Sequence, residues 1–400
     1  MSARPGANWN NEGWWYDQPL RRRLIVVRFL LFTHSLVSDW NHGNAHFQRG
    51  ILRELSARGH ETLAFEPAEG WSRHNLLAEC GPRALQEFER RFPELQVQTY
   101  SACPDLDRLL EGADVVLVHE WTDPALIEAL GRRRVDGGRF LLLFHDTHHR
   151  GVSAQRDMAA LRLDGYDAVL AFGEVLADLY RQFGWGCRAF CWHEAADLRL
   201  FRPLPAVPRR QDLVWIGNWG DGERDAELQE YLLEPANHMG LTGMVHGVRY
   251  PEEARESLRI AGLDYCGWLP NAEVPVVYAS HRMTLHVPRR PYVEQLPGIP
   301  TIRVFEALAC GIPLICAPWR DEECLFRAGQ DFLLAANGQE MKKQMAQLLA
   351  EPEMAKEIAE AGLETIRSRH SCAHRVDELF AILRKLELES SPSAREAAAG

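Results

Sequence analysis

The sequence predicts an α/β protein made of two Rossmann-like domains that face each other across a cleft. Three observations predict it. Continuous apolar runs such as Ala113–His119 (ADVVLVH) and Arg139–His145 (RFLLLFH) have the character of parallel strands covered by helices on both faces. These runs alternate with helical segments, the pattern of a doubly wound sheet. The alternation stops at Phe201–Arg210 (FRPLPAVPRR), which is proline-rich and aperiodic, and then restarts. A chain of 400 residues has room for two or three domains at roughly 100–200 residues each.

The elements follow in order. Residues 1–20, with Trp9, Trp14, Trp15 and Tyr16 among polar residues, predict an irregular arm. Residues 21–200 form the first domain. Leu24–Phe32 is a β-branched strand, Phe47–Arg58 a helix stopped by Gly59, and Thr62–Phe65, Ala113–His119, Arg139–His145 and Asp167–Phe172 are further strands. Residues 201–210 read as a hinge linker, about which the domains could close. The second domain spans 211–372. Its strands are Asp212–Ile216, Gly243–His246, Asp264–Cys266, Met283–Val287 and Pro313–Cys316. Its helices are Glu223–Leu233, Ile302–Cys310, Met341–Leu349 and Glu353–Arg369. An amphipathic helix over Arg375–Leu388, within a segment 373–389, is followed by a small-residue tail, 390–400, expected to be disordered.

Composition excludes several function classes. Acidic residues outnumber basic ones 56 to 45, a net charge of −11 that argues against non-specific binding to nucleic acid or an anionic membrane. No apolar run approaches the ~18 residues of a bilayer span, so at most peripheral membrane contact is expected. Arg21-Arg22-Arg23 before Leu24–Phe32 mimics a signal peptide, but Arg28 interrupts the apolar run and no small-residue cleavage site follows. The nine cysteines are odd in number and lack a C-x-x-C pair, which reads as reduced thiols in the cytoplasm.

In open α/β sheets ligands bind at the carboxyl ends of strands, so the residues after each strand are the candidates. Within Pro297–Pro318 (PGIPTIRVFEALACGIPLICAP), a polar loop with Thr301 opens the helix Ile302–Cys310. A helix N-terminus attracts phosphate and Arg303 adds a forked donor. Glu306, one turn on, could accept a ribose diol; equally, Arg303 and Glu306 could be a surface ion pair. The segment Phe144–Arg150 (FHDTHHR) ends a strand and is expected to point into the cleft. With His42 and His46 it also admits a metal reading, though the order H-D-x-H-H matches no hydrolase signature. His119-Glu120 is another strand-end pair, read as acceptor-side polarity, and Arg289-Arg290 could meet phosphate or lie in an exposed basic loop.

TIRVFEALACGIPLICAP resembles the nucleotide-binding signature of the retaining glycosyltransferases of GT-B fold, the large family 4 group, most closely their spore-maturation CgeB-like branch. That signature reads E-x7-E followed by A-x-A-x-G-x-P-V-I. Glu306 matches the second glutamate and Ala307, Ala309, Gly311 and Pro313 the pattern after it, but Gly298 stands where the first glutamate belongs. The resemblance implies a nucleoside diphosphate sugar as donor and co-substrate, no cofactor and no metal, and an acceptor left open among glycan, lipid-linked intermediate and protein. It implies donor contacts at Gly43, Gly217, Asn218, Arg224, Trp268, Leu269, Thr301, Arg303 and Glu306. Asn218 takes the place of a more usual basic residue, and Gly43 is either the glycine that admits the diphosphate or an ordinary turn glycine. His145, with Asp146 beside it, matches the strand-end histidine near the reaction centre, and Arg303 would steady the leaving phosphate. His119, Glu120 and Asp146 fall on the acceptor side. A nucleotide-sugar epimerase on the same fold stands beside the transferase, and so, because Gly298 replaces a glutamate, does a catalytically silent nucleotide- or sugar-binding protein.

Overall fold

The computed structural model describes residues 26–390 apart from 187 and 221. The expected arm over 1–20, the first residues of the expected strand at Leu24, and the tail beyond Ser390 lie outside the described residues. Seven parallel strands form the N-terminal sheet: β1 (Arg28–Phe32), β2 (Glu61–Pro67), β3 (Val97–Tyr100), β4 (Val115–His119), β5 (Leu141–Asp146), β6 (Ala168–Ala171) and β7 (Ala189–Cys191). They lie in the order β3-β2-β1-β4-β5-β6-β7. The C-terminal sheet has six: β8 (Gln211–Ile216), β9 (Gly243–His246), β10 (Leu263–Gly267), β11 (His281–His286), β12 (Leu314–Cys316) and β13 (Leu333–Leu334). Their order is β10-β9-β8-β11-β12-β13, and again every pair is parallel. Both orders reverse direction next to their first strand, the switch point at which such sheets bind ligands.

The continuous apolar runs became the central strands, because a strand covered on both faces buries every residue: β4 is buried throughout. The strands that the sequence reading did not find, β3, β7 and β13, are edge strands. β3 (VQTY) exposes Gln98 and Thr99, and β13 has two residues, so neither writes an apolar run into the sequence. The helix expected over Glu223–Leu233 begins at Asp225, passes through a π-helical turn at Gln229–Leu233 and runs on to Met239, carrying Pro235 at the start of its last segment.

One apolar layer continues through both domains. It joins Phe29, Phe47 and Leu143 of the N-terminal half to Ile302, Phe305 and Leu308 of the C-terminal half. Val376, Leu379 and Leu383 of the last helix, Cys372–Ser390, belong to the same layer. That helix lies against helix Ala45–Ala57: Arg58 reaches the Ala373 carbonyl (3.0 Å), and Trp192 donates its indole N–H to the Arg375 carbonyl (2.8 Å). The segment 201–210 has no regular secondary structure. Among the described residues no helix is long and apolar enough to cross a membrane.

Candidate functional site

The carboxyl ends of the two sheets face each other across one cavity of about 1450 Å³. Much of its wall is made of residues at or just past strand ends: His34 after β1, His119 at the end of β4, Thr147 after β5, Gly217 after β8, Trp268 after β10 and Val287 after β11. The walls are hydrogen-bonded to one another. Asn271 donates its side-chain amide to the Gly43 carbonyl (3.1 Å) and its backbone N–H to Asp39 (3.2 Å), and Asn218 donates to Asn41.

The C-terminal wall is cationic. Arg224 lies over the Trp215 ring at 5.0 Å and donates to the carbonyls of Val287 and Asn218. Its Nε has no partner, and among the described residues no carboxylate pairs with it. Burial, with Arg289 nearby, pulls its pKa down to about 10, so it stays charged at neutral pH. Gly217 makes room for it, since a side chain there would come within 3.2 Å of Arg224 Nη2 and 2.9 Å of Trp215. Arg289 pairs with Glu223 (2.5 Å), which also lies 3.5 Å from His149. Arg303 stands in the first turn of helix Ile302–Cys310, whose N-terminal residue Thr301 does not cap a backbone N–H with its hydroxyl. That hydroxyl lies 3.1 Å from His286 Nε2 instead. The free N–H groups of a helix start add partial positive charge to the arginines.

The N-terminal wall is different in kind. His34, His42 and His119 cluster there with ring centroids 4.1–5.6 Å apart. Burial holds His34 down to about 4 and His119 and His42 well below the ordinary value, so these imidazoles are neutral. His119 Nε2 lies 3.2 Å from the Thr147 hydroxyl, while His34 Nδ1 and both His42 nitrogens have no partner. Glu194 also lines the cavity, with Oε1 unpartnered and its pKa pushed well up by burial and by Glu306. Buried polar atoms of native proteins are nearly always partnered, so this set calls for a ligand or water carrying many hydrogen-bonding groups.

Of the donor-side residues taken from the sequence, Gly43, Gly217, Asn218, Arg224, Trp268, Leu269, Thr301 and Arg303 all line the cavity. Glu306 does not. It is fully buried, with Oε2 bonded to Arg303 and Oε1 2.8 Å from His46 Nδ1 in a contact not aligned as a hydrogen bond. Burial pushes its pKa up, but Arg303 and His46 outweigh it and hold the carboxylate below its ordinary range. One turn into the helix is too deep to reach the cleft; Glu306 instead anchors Arg303.

His145 does not reach the cleft either. Strand alternation puts Leu143 and His145 on the face packed by helix Ala45–Ala57, and the His145 ring lies between Phe47 (5.9 Å) and Trp192 (5.0 Å). The cleft opens at the strand's end, not along its face, so Thr147, His148 and His149 reach it and His145 does not. Asp146 and Glu120 lie beneath as well. Asp146 accepts from Tyr180 (2.7 Å) and from the His148 N–H (3.1 Å), and Glu120 accepts from the Thr147 N–H (3.0 Å), so the pair braces the loop that lines the cleft. The other acceptor-side candidate, His119, does line it. Arg290 stays outside, near Glu227 (3.6 Å). Among the described residues, no three donors from His42, His46 and the 145–149 segment converge as a metal site would need. Reading the sequence alone did not find His34, Glu194 or Asn271; only His34, two residues past a strand, carried a local signal.

Gly298 explains the missing glutamate. Its φ is +96°, a backbone conformation that side chains disfavour, and its N–H donates to the Arg320 carbonyl (2.8 Å).

The fold has counterparts among known proteins. Residues 224–381 match a family described as glycosyl transferase-like. No curated protein matches the chain by sequence. Among solved structures, Anabaena HepE in complex with UDP and glucose is 13 % identical with a TM-score of 0.65, covering 90 % of this chain and 100 % of its own. A glycosyltransferase from Rickettsia africae is 12 % identical (TM-score 0.64; 92 % and 100 %), and sucrose-phosphate synthase from Thermosynechococcus elongatus 15 % (TM-score 0.62; 91 % and 100 %). The chain therefore has the GT-B fold, and its C-terminal half carries a glycosyl transferase-like region.

Proposed function

We propose that the protein is a GT-B glycosyltransferase that moves a sugar from a uridine diphosphate sugar to an acceptor hydroxyl, with retention and without a metal in the transfer step. The observation that carries this is the charge of the C-terminal wall: Arg224, Arg289 and Arg303 converge with the start of helix Ile302–Cys310, and Arg224 has no carboxylate partner among the described residues. A diphosphate supplies the negative charge such a wall lacks. Trp268 and Leu269 would flank the base. UDP is favoured over other nucleotides because the HepE structure holds it. The CgeB-like branch of the retaining group is the nearest description of the signature.

In the transfer, the bond from the anomeric carbon to the diphosphate oxygen breaks and its electron pair stays on the leaving UDP. The arginines and helix N–H groups steady that charge within the cleft. The acceptor oxygen bonds to the same carbon, and its proton passes to the departing phosphate. Neutral His119 and the Glu194 carboxyl line the opposite wall and would bind sugar hydroxyls.

The test is a melting-temperature screen with UDP, GDP and TDP, followed by product analysis with UDP-sugars. A rise with UDP and anomerically retained product support the reading. No shift with any nucleotide removes its basis. Binding without turnover would make the chain a silent binding protein, a changed sugar without acceptor an epimerase, and an inverted product would refute retention.

A further inference from the structure

Away from the cleft, three unlike side chains meet where the domains adjoin. Cys191 ends β7 and His193 follows it in the N-terminal half; Glu323 comes from the loop between β12 and β13 of the other sheet. Cys191 Sγ lies 3.2 Å from His193 Nε2, His193 Nε2 lies 2.9 Å from Glu323 Oε2, and Cys191 Sγ lies 3.7 Å from the same oxygen. Among the described residues this is the only group of three His, Cys, Asp or Glu donors close enough to share one ion. None of the three lines the cleft cavity.

The surroundings aim the donor atoms inward. His193 Nδ1 lies 3.0 Å from the Phe172 carbonyl, which can only accept, so Nδ1 carries the hydrogen and a neutral ring presents its lone pair at Nε2. Glu323 Oε1 accepts the Glu174 backbone N–H (2.9 Å), which turns Oε2 toward the cysteine and histidine. Such outer hydrogen bonds are the usual means by which proteins orient metal ligands. The separations of 2.9–3.7 Å are near the edge of a tetrahedron about Zn²⁺, about 3.3–3.7 Å for bond lengths of about 2.0–2.3 Å. The side chains of His193 and Glu323 are 12 % and 19 % exposed, so the group is sheltered yet open to solvent for a fourth ligand.

Two simpler accounts can be weighed. A nucleophile–base–carboxylate relay needs the thiol and the carboxylate on opposite nitrogens of the imidazole. Here both face Nε2, and the opposite nitrogen is held by a carbonyl, so no relay exists. A protonated His193 paired with Glu323 satisfies the 2.9 Å contact, but leaves the sulfur turned toward the same point with only weak partners. The mixture of thiolate, imidazole and carboxylate suits Zn²⁺ and not Mg²⁺ or Ca²⁺, which take oxygen ligands.

We propose that Cys191, His193 and Glu323 form a Zn²⁺ site that ties the last strand of the N-terminal sheet to the 319–327 loop of the C-terminal domain, with water as the fourth ligand. Binding exchanges the Cys191 thiol proton for the metal and releases it to solvent. Because the ligands come from both domains, the ion acts as a clasp on the domain junction; the site adjoins the cleft through Glu194, next in the chain to His193, without lining it.

The experiment uses the full-length chain, stripped with a chelator, dialysed and titrated with Zn²⁺ by calorimetry and with Co²⁺ by absorption spectroscopy. Wild type and the control Cys80→Ser, at an exposed free cysteine, are expected to take up one equivalent, with a thiolate-to-cobalt charge-transfer band and a higher melting temperature in Zn²⁺. Cys191→Ser is expected to lose the band and the equivalent, and Glu323→Gln the Zn²⁺-dependent rise in melting. Wild type without the band overturns the proposal whatever the variants do, and leaves the imidazolium–carboxylate pair as the account. Full uptake with an unchanged band in Cys191→Ser overturns it equally. Should Cys191→Ser not fold, the wild-type band and the melting of Glu323→Gln decide.

Discussion

The two walls of the cleft are built from the same element, the carboxyl ends of a parallel sheet, yet they solve opposite electrostatic problems. The N-terminal wall holds His34, His42 and His119 as neutral rings and hides Glu120 and Asp146 beneath its loop. The C-terminal wall adds charged arginines to its own neutral His246 and His286: Arg303 is tied to a fully buried carboxylate, and Arg224 is held over an indole with only carbonyls as partners. The lesson is that a chain of net charge −11 can still present a cationic surface, provided arginines converge on the cleft and the carboxylate that steadies Arg303 is placed one helical turn back. Neutral polarity then suits sugar hydroxyls on one side, and charge suits phosphate on the other.

The largest way to break this contrast is Glu306→Ala. It leaves Arg303 and His46 facing a buried void without the carboxylate, and the loss of one partner from a buried pair costs about 3–5 kcal/mol. Chemical denaturation should show a fall of that size; an unchanged midpoint would mean that Glu306 is not the anchor. Arg303→Ala comes next and acts on function. Losing a charge-assisted contact worth about 1.5–3 kcal/mol should lower kcat/KM for a UDP-sugar about 10- to 100-fold. Steady-state kinetics within twofold of wild type would detach Arg303 from the phosphate.

Gly298→Ala should cost about 1–2 kcal/mol of stability through its φ of +96°, with little change in nucleotide affinity. A stable, fully folded variant would show that the position is not held by backbone conformation.

The smallest effect separates the two histidines of adjacent strands. His119→Ala should reduce turnover about fivefold, the equivalent of about 1 kcal/mol from one neutral hydrogen bond, while His145→Phe should leave turnover near wild type. The His145 pKa is held down to about 3 by burial. Between its ordinary value of 6.5 and about 3 the unfolded chain binds a proton that the folded chain refuses, so this residue's contribution to stability falls as pH drops through that window. The slope is at most about 1.4 kcal/mol per pH unit. His145→Phe should therefore lose less stability between pH 7 and pH 4 than wild type, measured by urea denaturation at each pH. An identical slope would contradict the buried neutral ring.

What could be read directly was whatever depends on local pattern. The central strands β1, β4, β5 and β8 write themselves as apolar runs because both of their faces are covered, and helix Ile302–Cys310 is bounded by its own Thr301 and Gly311. Thr301 and Arg303 were legible from the helix start they occupy, while Asn218 and Arg224 came only from the family resemblance. The edge strands were not, since a half-exposed strand has no apolar run. Which way a side chain points at the last residue of a strand or the second turn of a helix was not legible either. His145 and His119 are both strand-end histidines in the sequence, paired in register on neighbouring strands. Only the packing of Phe47 and Trp192 over one of them decides that it is core and that the other lines the cleft. Glu306 likewise has a sequence context that suggests ribose, and a tertiary context, His46 from the other domain, that gives it Arg303 to hold. The sequence alone determined two parallel sheets and a cleft between them, because hydrophobic period and turn residues act over a few positions. The tertiary structure decided which polar groups reach that cleft and which are sealed beneath it, because that depends on side chains dozens to hundreds of residues apart.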